Sequence, residues 1–252
     1  MLTGPEVSVF AFCDGGEVSE LTTACDYKRL EDGGLGPNTG GMGSFAPGDL
    51  WSPALHEEVN RTIMLPVIQA MADMGMPYRG VLYAGIMLTP EGPKVLEFNC
   101  RLGDPESQVV LPNLESDPLE VMMACCQGSL SQTPVNWSNK HHVGVVMVSG
   151  GYPLSYRTGF EISGLDQECL DTLVFHAGTV SETAARSSQV VTAGGRVLTI
   201  VGMGNSLAQA RAKAYDRLQQ ISFHEAFYRM DIGDLESEER VWSPGPAAAG
   251  QS

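Results

Sequence analysis

From Val143 to Val148 every residue is apolar. That unbroken run fits a strand covered on both faces, since a strand with one face in water would alternate apolar and polar positions. It closes on Gly150-Gly151-Tyr152-Pro153, a turn signal. Burying both faces of a strand takes a chain with a real core, and 252 residues at 43% hydrophobic content suffice for one large domain or two smaller ones. Further strands are expected at Thr172 to Phe175 and Gly195 to Val201. Ser206 and Gln209 then resemble a capping box, and Leu207, Ala210, Ala214, Leu218 and Ile221 give the helix that follows its apolar face.

The front of the chain reads as sheet and loop. Val7 to Phe12 and Val18 to Leu21, separated by Asp14-Gly15-Gly16, predict a β-hairpin. A glycine-rich stretch from Asp32 to Pro47 predicts a long loop, and long loops in compact domains are usually functional. Ser52-Pro53 is a cap followed by a first-turn proline; Leu55, Val59, Ile63 and Val67 recur every fourth residue as one buried stripe, and Pro66 should kink that helix near its end. Two strands follow at Gly80 to Leu88 and Lys94 to Cys100, turning at Pro90-Glu91-Gly92, and Asp104-Pro105 should cap and open a helical region. From about Asp234 the composition turns charged and then Pro/Gly/Ala-rich, which predicts a disordered tail. The chain shows no internal repeat.

Fifteen Lys and Arg against thirty Asp and Glu give a formal charge of -15, which should repel nucleic acid and leaves room for a small anion held by local cations. The N-terminus carries no basic n-region with an apolar h-region and no run is long enough to span a bilayer, so the expectation is a cytoplasmic protein with no membrane partner. Six cysteines with no C-x-x-C pair predict reduced, mostly buried thiols.

The segment with most chemistry is Val95-Leu96-Glu97-Phe98-Asn99-Cys100-Arg101. Strand alternation would put Glu97, Asn99 and Arg101 on one face, with Phe98 and Cys100 toward the core. A carboxylate and an amide oxygen are hard ligands suited to magnesium, and Arg101 could stabilise a phosphoryl oxygen as it gains charge. The bland alternative is the solvated face of an edge strand, and for an arbitrary E-x-N-x-R that alternative is favoured. The setting raises the functional reading: a hairpin strand followed at once by Gly103-Asp104-Pro105-Glu106.

A second constellation is Asp26-Tyr27-Lys28-Arg29 leading into Gly36-Pro37-Asn38-Thr39-Gly40-Gly41-Met42-Gly43. Glycines let backbone approach a ligand and turn successive N–H groups toward an anion, with Lys28 and Arg29 supplying charge; a flexible surface loop is the competing reading. The Gly-Lys-Ser/Thr ending of a Walker-type loop is missing. His176 sits between a strand and a turn, where a histidine is more often structural. His141 and His142 are expected at the surface beside a strand, and Met71, Met74 and Met76 as packing.

The stretches A-C-D-Y-K-R, G-P-N-T-G-G-M-G, Y-A-G-I-M, L-E-F-N-C-R-L-G-D-P-E-S-Q, G-G-Y-P, F-H-A-G-T and G-G-R-V-L, in that order, together resemble the glycinamide ribonucleotide synthetase (phosphoribosylamine-glycine ligase) family of the ATP-grasp superfamily. The resemblance spans nearly all of the chain before the tail. It implies an α+β fold: the second half of an ATP-grasp domain over 1–128, a small mixed α/β C-terminal domain that closes over substrates over 129–233, and a disordered tail over 234–252. It implies ATP and Mg2+ or Mn2+ as cofactors, glycine and 5-phosphoribosylamine as substrates, and glycyl phosphate on the way to glycinamide ribonucleotide. By the same resemblance Glu97 and Asn99 match metal ligands and, with Glu6, the nucleotide side of the site; Arg101, with Lys28 and Arg29, matches catalytic cations. Asp26, Pro37, Asn38, Thr39, Gly40, Gly41, Met42, Gly43 and His176 match the substrate pocket.

The chain departs from the family in having Cys25-Asp26-Tyr27 where Gln-Asp-His is usual, and Asn113 where arginine is frequent. The family's N-terminal Rossmann-like domain and first ATP-grasp half find no counterpart, so the expected partner is a separate N-terminal part of the same enzyme. Two alternatives stand beside the ligase: a non-catalytic remnant that binds metal or phosphoribosyl compounds, and another ATP-grasp carboxylate-amine ligase.

Overall fold

The computed structural model describes residues 2–184 and 187–235. In chain order the elements are β1 (Glu6–Asp14), β2 (Thr22–Asp26), β3 (Arg29–Glu31), β4 (Leu35–Asn38), β5 (Gly43–Ala46), α1 (Pro53–Val59), α2 (Leu65–Asp73), β6 (Arg79–Thr89), β7 (Gly92–Asn99), α3 (Ser107–Val110) and α4 (Pro118–Gln127). Then come β8 (His141–Val148), β9 (Thr172–His176), β10 (Thr179–Ala184), β11 (Ser187–Thr192), β12 (Arg196–Gly204) and α5 (Leu207–Leu218). Eight strands form one sheet in the order β7-β6-β1-β2-β5-β8-β12-β9, every neighbouring pair antiparallel. The α+β class is as expected.

The sheet is covered on both faces. On one, Val7, Val9, Ala11 and Cys13 of β1 and Val143, Val145 and Met147 of β8 share a core with Leu55, Val59, Ile63 and Ile68 from the α1–α2 region and with Ala210, Ala214 and Leu218 of α5. On the other, Phe10 and Tyr83 pack with Val109 and Val110 of α3, and Phe12 with Val121 and Cys125 of α4. The apolar run at β8 thus lies where its composition requires, in the sheet interior with helices on each side. Helix α5 approaches closely because β12 offers glycine: a Cβ at Gly202 would lie 2.2 Å from the carbonyl oxygen of Ala210.

Local signals place several elements as expected. Ser52 Oγ accepts from the Leu55 N–H and Pro53 opens α1. Pro66 cannot donate to the preceding turn, and the helix answers by widening over Asn60–Met64 into a π turn in which Leu65 N–H reaches Asn60 O. The β6–β7 hairpin pairs Tyr83 with Asn99 and Thr89 with Gly92. At α5, Ser206 Oγ caps Gln209 N–H, while the Gln209 side chain accepts from Asn205 N–H, one residue further out than a capping box requires.

Other expectations are corrected. The partner of β1 is Thr22–Asp26, not Val18–Leu21; Val18 makes a single bridge to Cys13. The glycine-rich stretch is no open loop: β3 and β4 pair as a small hairpin and β5 joins the main sheet. Phe98 and Cys100 do not face the core, because β7 is the sheet's edge and Phe98 is 39% exposed. Asp104 caps no helix; its carboxylate is taken by Arg196, and only the four residues of α3 follow. His142 lies inside β8, 1% exposed, instead of at the surface, and His141 is half-buried on the same strand. Half of the six thiols are buried: Cys13, Cys25 and Cys125. Of the tail expected from Asp234, residues 236–252 lie outside the described residues.

Candidate functional site

The α3–α4 face of the sheet changes character along its strands. Phe10 and Phe12 lie under helices, but two and four residues back along β1 stand Ser8 and Glu6. Register carries this polar band sideways: Ser8 is opposite Gly85 of β6, and Gly85 is opposite Glu97 of β7. Glycine at 85 leaves room for its neighbour, since a Cβ there would sit 3.3 Å from the Glu97 Cγ. Glu97 and Asn99 share a face, and Asn99 Nδ2 donates to Glu97 Oε1 at 3.0 Å. That orientation leaves two hard oxygens, Asn99 Oδ1 and Glu97 Oε2, outside the bond. Arg101 lies beyond the strand end, exposed, with its guanidinium on the Leu102 carbonyl at 2.8 Å.

Lys28, just past β2, pairs with Glu6. Partial burial alone would lower the lysine pKa, but the carboxylates of Asp26, Glu6 and Glu97 outweigh it and hold the pKa above its ordinary value. Asp26 moves the other way from a typical carboxylate: burial, then the neighbouring Glu106 carboxylate, push it up to about 6 against the pull of Lys28. Glu106 is 3% exposed and accepts from Ser8 Oγ at 3.2 Å, while Ser8 Oγ also meets Tyr83 Oη at 2.9 Å. Burial and Glu106 raise the tyrosine pKa, keeping its hydroxyl protonated. The fold therefore brings Glu6, Asp26, Lys28, Glu97 and Asn99 together over a buried Ser8–Tyr83–Glu106 network.

The glycine-rich segment is attached to this cluster through backbone. Thr39 donates its N–H and its hydroxyl to the Lys28 carbonyl at 2.8 and 3.0 Å. Gly40 N–H donates to Tyr152 Oη, Gly41 N–H to Thr39 Oγ1 and Met42 N–H to the Tyr27 carbonyl. An N–H nest for an anion was the expectation; instead the amides from Thr39 to Met42 are all engaged within the protein. Pro37 and Asn38 are exposed on β4. Met42 is fully buried against Val146 and Val148, and Gly43 is buried in β5. Arg29 is exposed and donates to the Gly36 carbonyl at 2.8 Å. His176 ends β9 at the opposite edge of the sheet from β7, its Nδ1 3.0 Å from Thr179 Oγ1.

Residues of the second half truss the segment, and sequence reasoning gave none of them a role. Arg229 and Asp231, 1% and 7% exposed, form a two-bonded ion pair at 2.7 and 2.6 Å. From it Arg229 donates to the Arg29 carbonyl and Asp231 accepts from Gly33 N–H. Arg229 also lies over the Tyr27 ring, 4.9 Å from its centroid, and Tyr27 Oη accepts from Gly233 N–H. Tyr152, Arg196 and Glu106 stand in motifs that were visible as G-G-Y-P, G-G-R-V-L and G-D-P-E, yet what each touches lies far away in the chain. At Asn113, buried, the side-chain oxygen accepts from Ser138 Oγ.

Two models of a single family match this chain: phosphoribosylglycinamide synthetase, ATP-grasp (A) domain, over residues 1–107, and phosphoribosylglycinamide synthetase, C domain, over residues 142–235. The chain belongs to the phosphoribosylglycinamide synthetase family. Among its relatives in that family, a phosphoribosylamine–glycine ligase of Synechocystis sp. is 48% identical across 92% of this chain and 55% of its own length. One from Caldanaerobacter subterraneus subsp. tengcongensis is 47% identical across 92% and 54%. The crystal structure of phosphoribosylamine–glycine ligase from Thermotoga maritima superposes with a TM-score of 0.79 at 34% identity, over 92% of this chain and 56% of that one. The chain thus spans about half the length of the relatives it matches in the phosphoribosylglycinamide synthetase family. Its carboxylate–lysine cluster lies within the ATP-grasp match, whereas Tyr152, Arg196, Arg229 and Asp231 lie within the C-domain match.

Proposed function

We propose that this chain forms part of an ATP-dependent phosphoribosylamine–glycine ligase, with 1–128 as the ATP-grasp half, 129–233 as the substrate-closing domain and a separate N-terminal part as partner. In this reading the glycine carboxylate attacks the γ-phosphorus of ATP, ADP leaves, and glycyl phosphate forms. The amine of 5-phosphoribosylamine then attacks the glycyl carbonyl carbon; phosphate departs with the bonding pair, the nitrogen loses a proton, and glycinamide ribonucleotide results. The observation that carries the proposal is the shared face of Glu97 and Asn99 beside the Glu6–Lys28 pair.

The donor set suits magnesium or manganese: hard oxygens from an exposed carboxylate and a partly exposed amide on one strand face. Among the described residues no group of three or more His, Cys, Asp or Glu side chains could hold a metal; magnesium generally relies on one or two carboxylates with substrate phosphates and water, which the Glu97 and Asn99 oxygens would suit. Glu97 and Asn99 would hold the ion, which when bound neutralises phosphate charge and orients the transferred group. Glu6 serves the nucleotide side. Lys28 keeps its charge among carboxylates and, with Arg101 and Arg29, offsets charge on the phosphoryl group. Asp26 faces the amine-bearing substrate as a carboxylate near its protonation point, and Pro37 to Gly41 border the substrate side; the buried Met42 and Gly43 back that segment, and His176 stands apart at the opposite sheet edge. Among the described residues no helix is long and apolar enough to cross a membrane, and we place the reaction in the cytoplasm.

The test supplies ATP, glycine and phosphoribosylamine to the chain, with and without the portion of a homologous ligase that it does not cover, and identifies product by mass spectrometry. Glycinamide ribonucleotide is expected when both parts are present. Its absence there, or a different amide, overturns the proposal.

A further inference from the structure

Arg196 opens β12, yet its guanidinium serves two segments far from it in the chain. Nη1 donates to the Gly40 carbonyl at 2.6 Å and to the Asp104 carbonyl at 3.1 Å, and Nη2 donates to Asp104 Oδ2 at 2.6 Å. The Arg196 side chain is 23% exposed and that of Asp104 55%, so the arginine is the shielded member, and its two further bonds to backbone carbonyls set it apart from a lone surface ion pair. The two segments fit around it. A Cβ at Gly40 would lie 3.1 Å from the Arg196 Cζ, and one at Gly41, where φ is +110°, would lie 2.3 Å from Pro105 Cδ. The glycine pair is therefore the imprint of a guanidinium and a proline ring pressed against the backbone.

We infer that Arg196 is a positioning residue that fixes the glycine-rich segment to the Asp104–Glu106 turn and so holds Lys28 and Glu106 in register with each other. The chain of contacts runs both ways. On one side Gly40 follows Thr39, whose N–H and hydroxyl hold the Lys28 carbonyl. On the other, Asp104 leads through Pro105, whose carbonyl accepts from Ser44 Oγ at 2.9 Å, into Glu106 and its bond from Ser8. A lysine at 196 could not span these acceptors, because its ammonium lacks the planar fork. The link from this clamp to ligand affinity rests on the ligase reading; the clamp itself does not.

Hydrogen exchange on the full chain, followed by mass spectrometry, tests the clamp. Arg196→Ala and Arg196→Lys should each speed exchange at least tenfold in peptides covering 38–43 and 103–107, with 143–148 unchanged. Millimolar guanidinium ion should restore protection to the alanine variant and not to the lysine variant. Asp104→Asn, which leaves Arg196 in place, should loosen the turn more than the loop, and Tyr152→Phe only the loop. Unchanged exchange in both segments on Arg196→Ala, or equal loosening across the sheet, would overturn the inference. Calorimetry with glycinamide ribonucleotide, the complementing part of a homologous ligase present, should show roughly tenfold weaker binding for both Arg196 variants, again rescued by guanidinium only for alanine. Loosened segments with unchanged affinity would refute the positioning role. If the unaltered chain, with the complementing part of a homologous ligase present, binds none of that compound, the ligase reading fails while exchange still decides the clamp.

Discussion

Strands β8 and β7 belong to one sheet and differ in nearly everything else. The first is central, apolar on both faces and buried from His142 to Val148; the second is an edge, with Val95, Leu96 and Phe98 each more than a third exposed. What separates them is the number of neighbours, and it divides the labour: the interior strand holds the fold, and the edge strand, free on one side, presents Glu97 and Asn99 to whatever binds.

The sharpest way to break that division is from the inside. Met147→Ala removes a side chain that is 1% exposed in the main core, and it should cost about 2–5 kcal/mol in denaturant unfolding. If the loss were below about 1 kcal/mol, β8 would not be the structural strand. Next in size, Glu97→Gln should lower ligase turnover in the two-part assay by about 100-fold, equivalent to about 2.7 kcal/mol. Its melting temperature should stay within about 2 °C of the unaltered chain, because the side chain is exposed.

Acid sharpens the same contrast through His142. Burial depresses its pKa to about 4 from the ordinary 6.5, so the folded chain resists a proton that the unfolded chain accepts. Stability should be full above pH 6.5, fall between 6.5 and about 4 by up to about 3 kcal/mol, and level off below. His142→Phe should flatten that part of a pH series of unfolding curves; an unchanged slope would place the acid sensitivity elsewhere. Smallest of all, Phe98→Ser on the exposed edge should change stability by about 1 kcal/mol or less, a value to set beside Met147→Ala in the same titration.

What the sequence made legible was whatever depends on near neighbours. The Ser52 cap, the β6–β7 hairpin with its turn at Gly92, and the pairing of Glu97 with Asn99 follow from spacing alone. Phe98 departs from the expectation because alternation tells which residues share a face, not whether anything covers it. His142 departs from it because a histidine pair at the head of an apolar run reads as a boundary, whereas β8 continues beneath α3. The amides of Thr39 to Met42 were expected to face a ligand, and only the fold reveals Tyr152 and the Lys28 carbonyl as their partners. Arg196 touches residues 92 and 156 positions away, a distance over which no local pattern speaks.

The narrowest seam of the sheet has a consequence for how such molecules can be cut and recombined. Between β2 and β5 the register is two residues wide, Cys25 with Phe45 and Asp26 with Ser44, yet β5 continues onto β8 through four pairs. Splitting the polypeptide between its two matched modules would strip β5 of its outer neighbour and lay open one flank of the most apolar strand, a sticky ladder that invites other chains. Modules that look like interchangeable cassettes are in this respect a single woven fabric, and any shuffling of one should carry the Gly43–Ala46 thread of the other along with it.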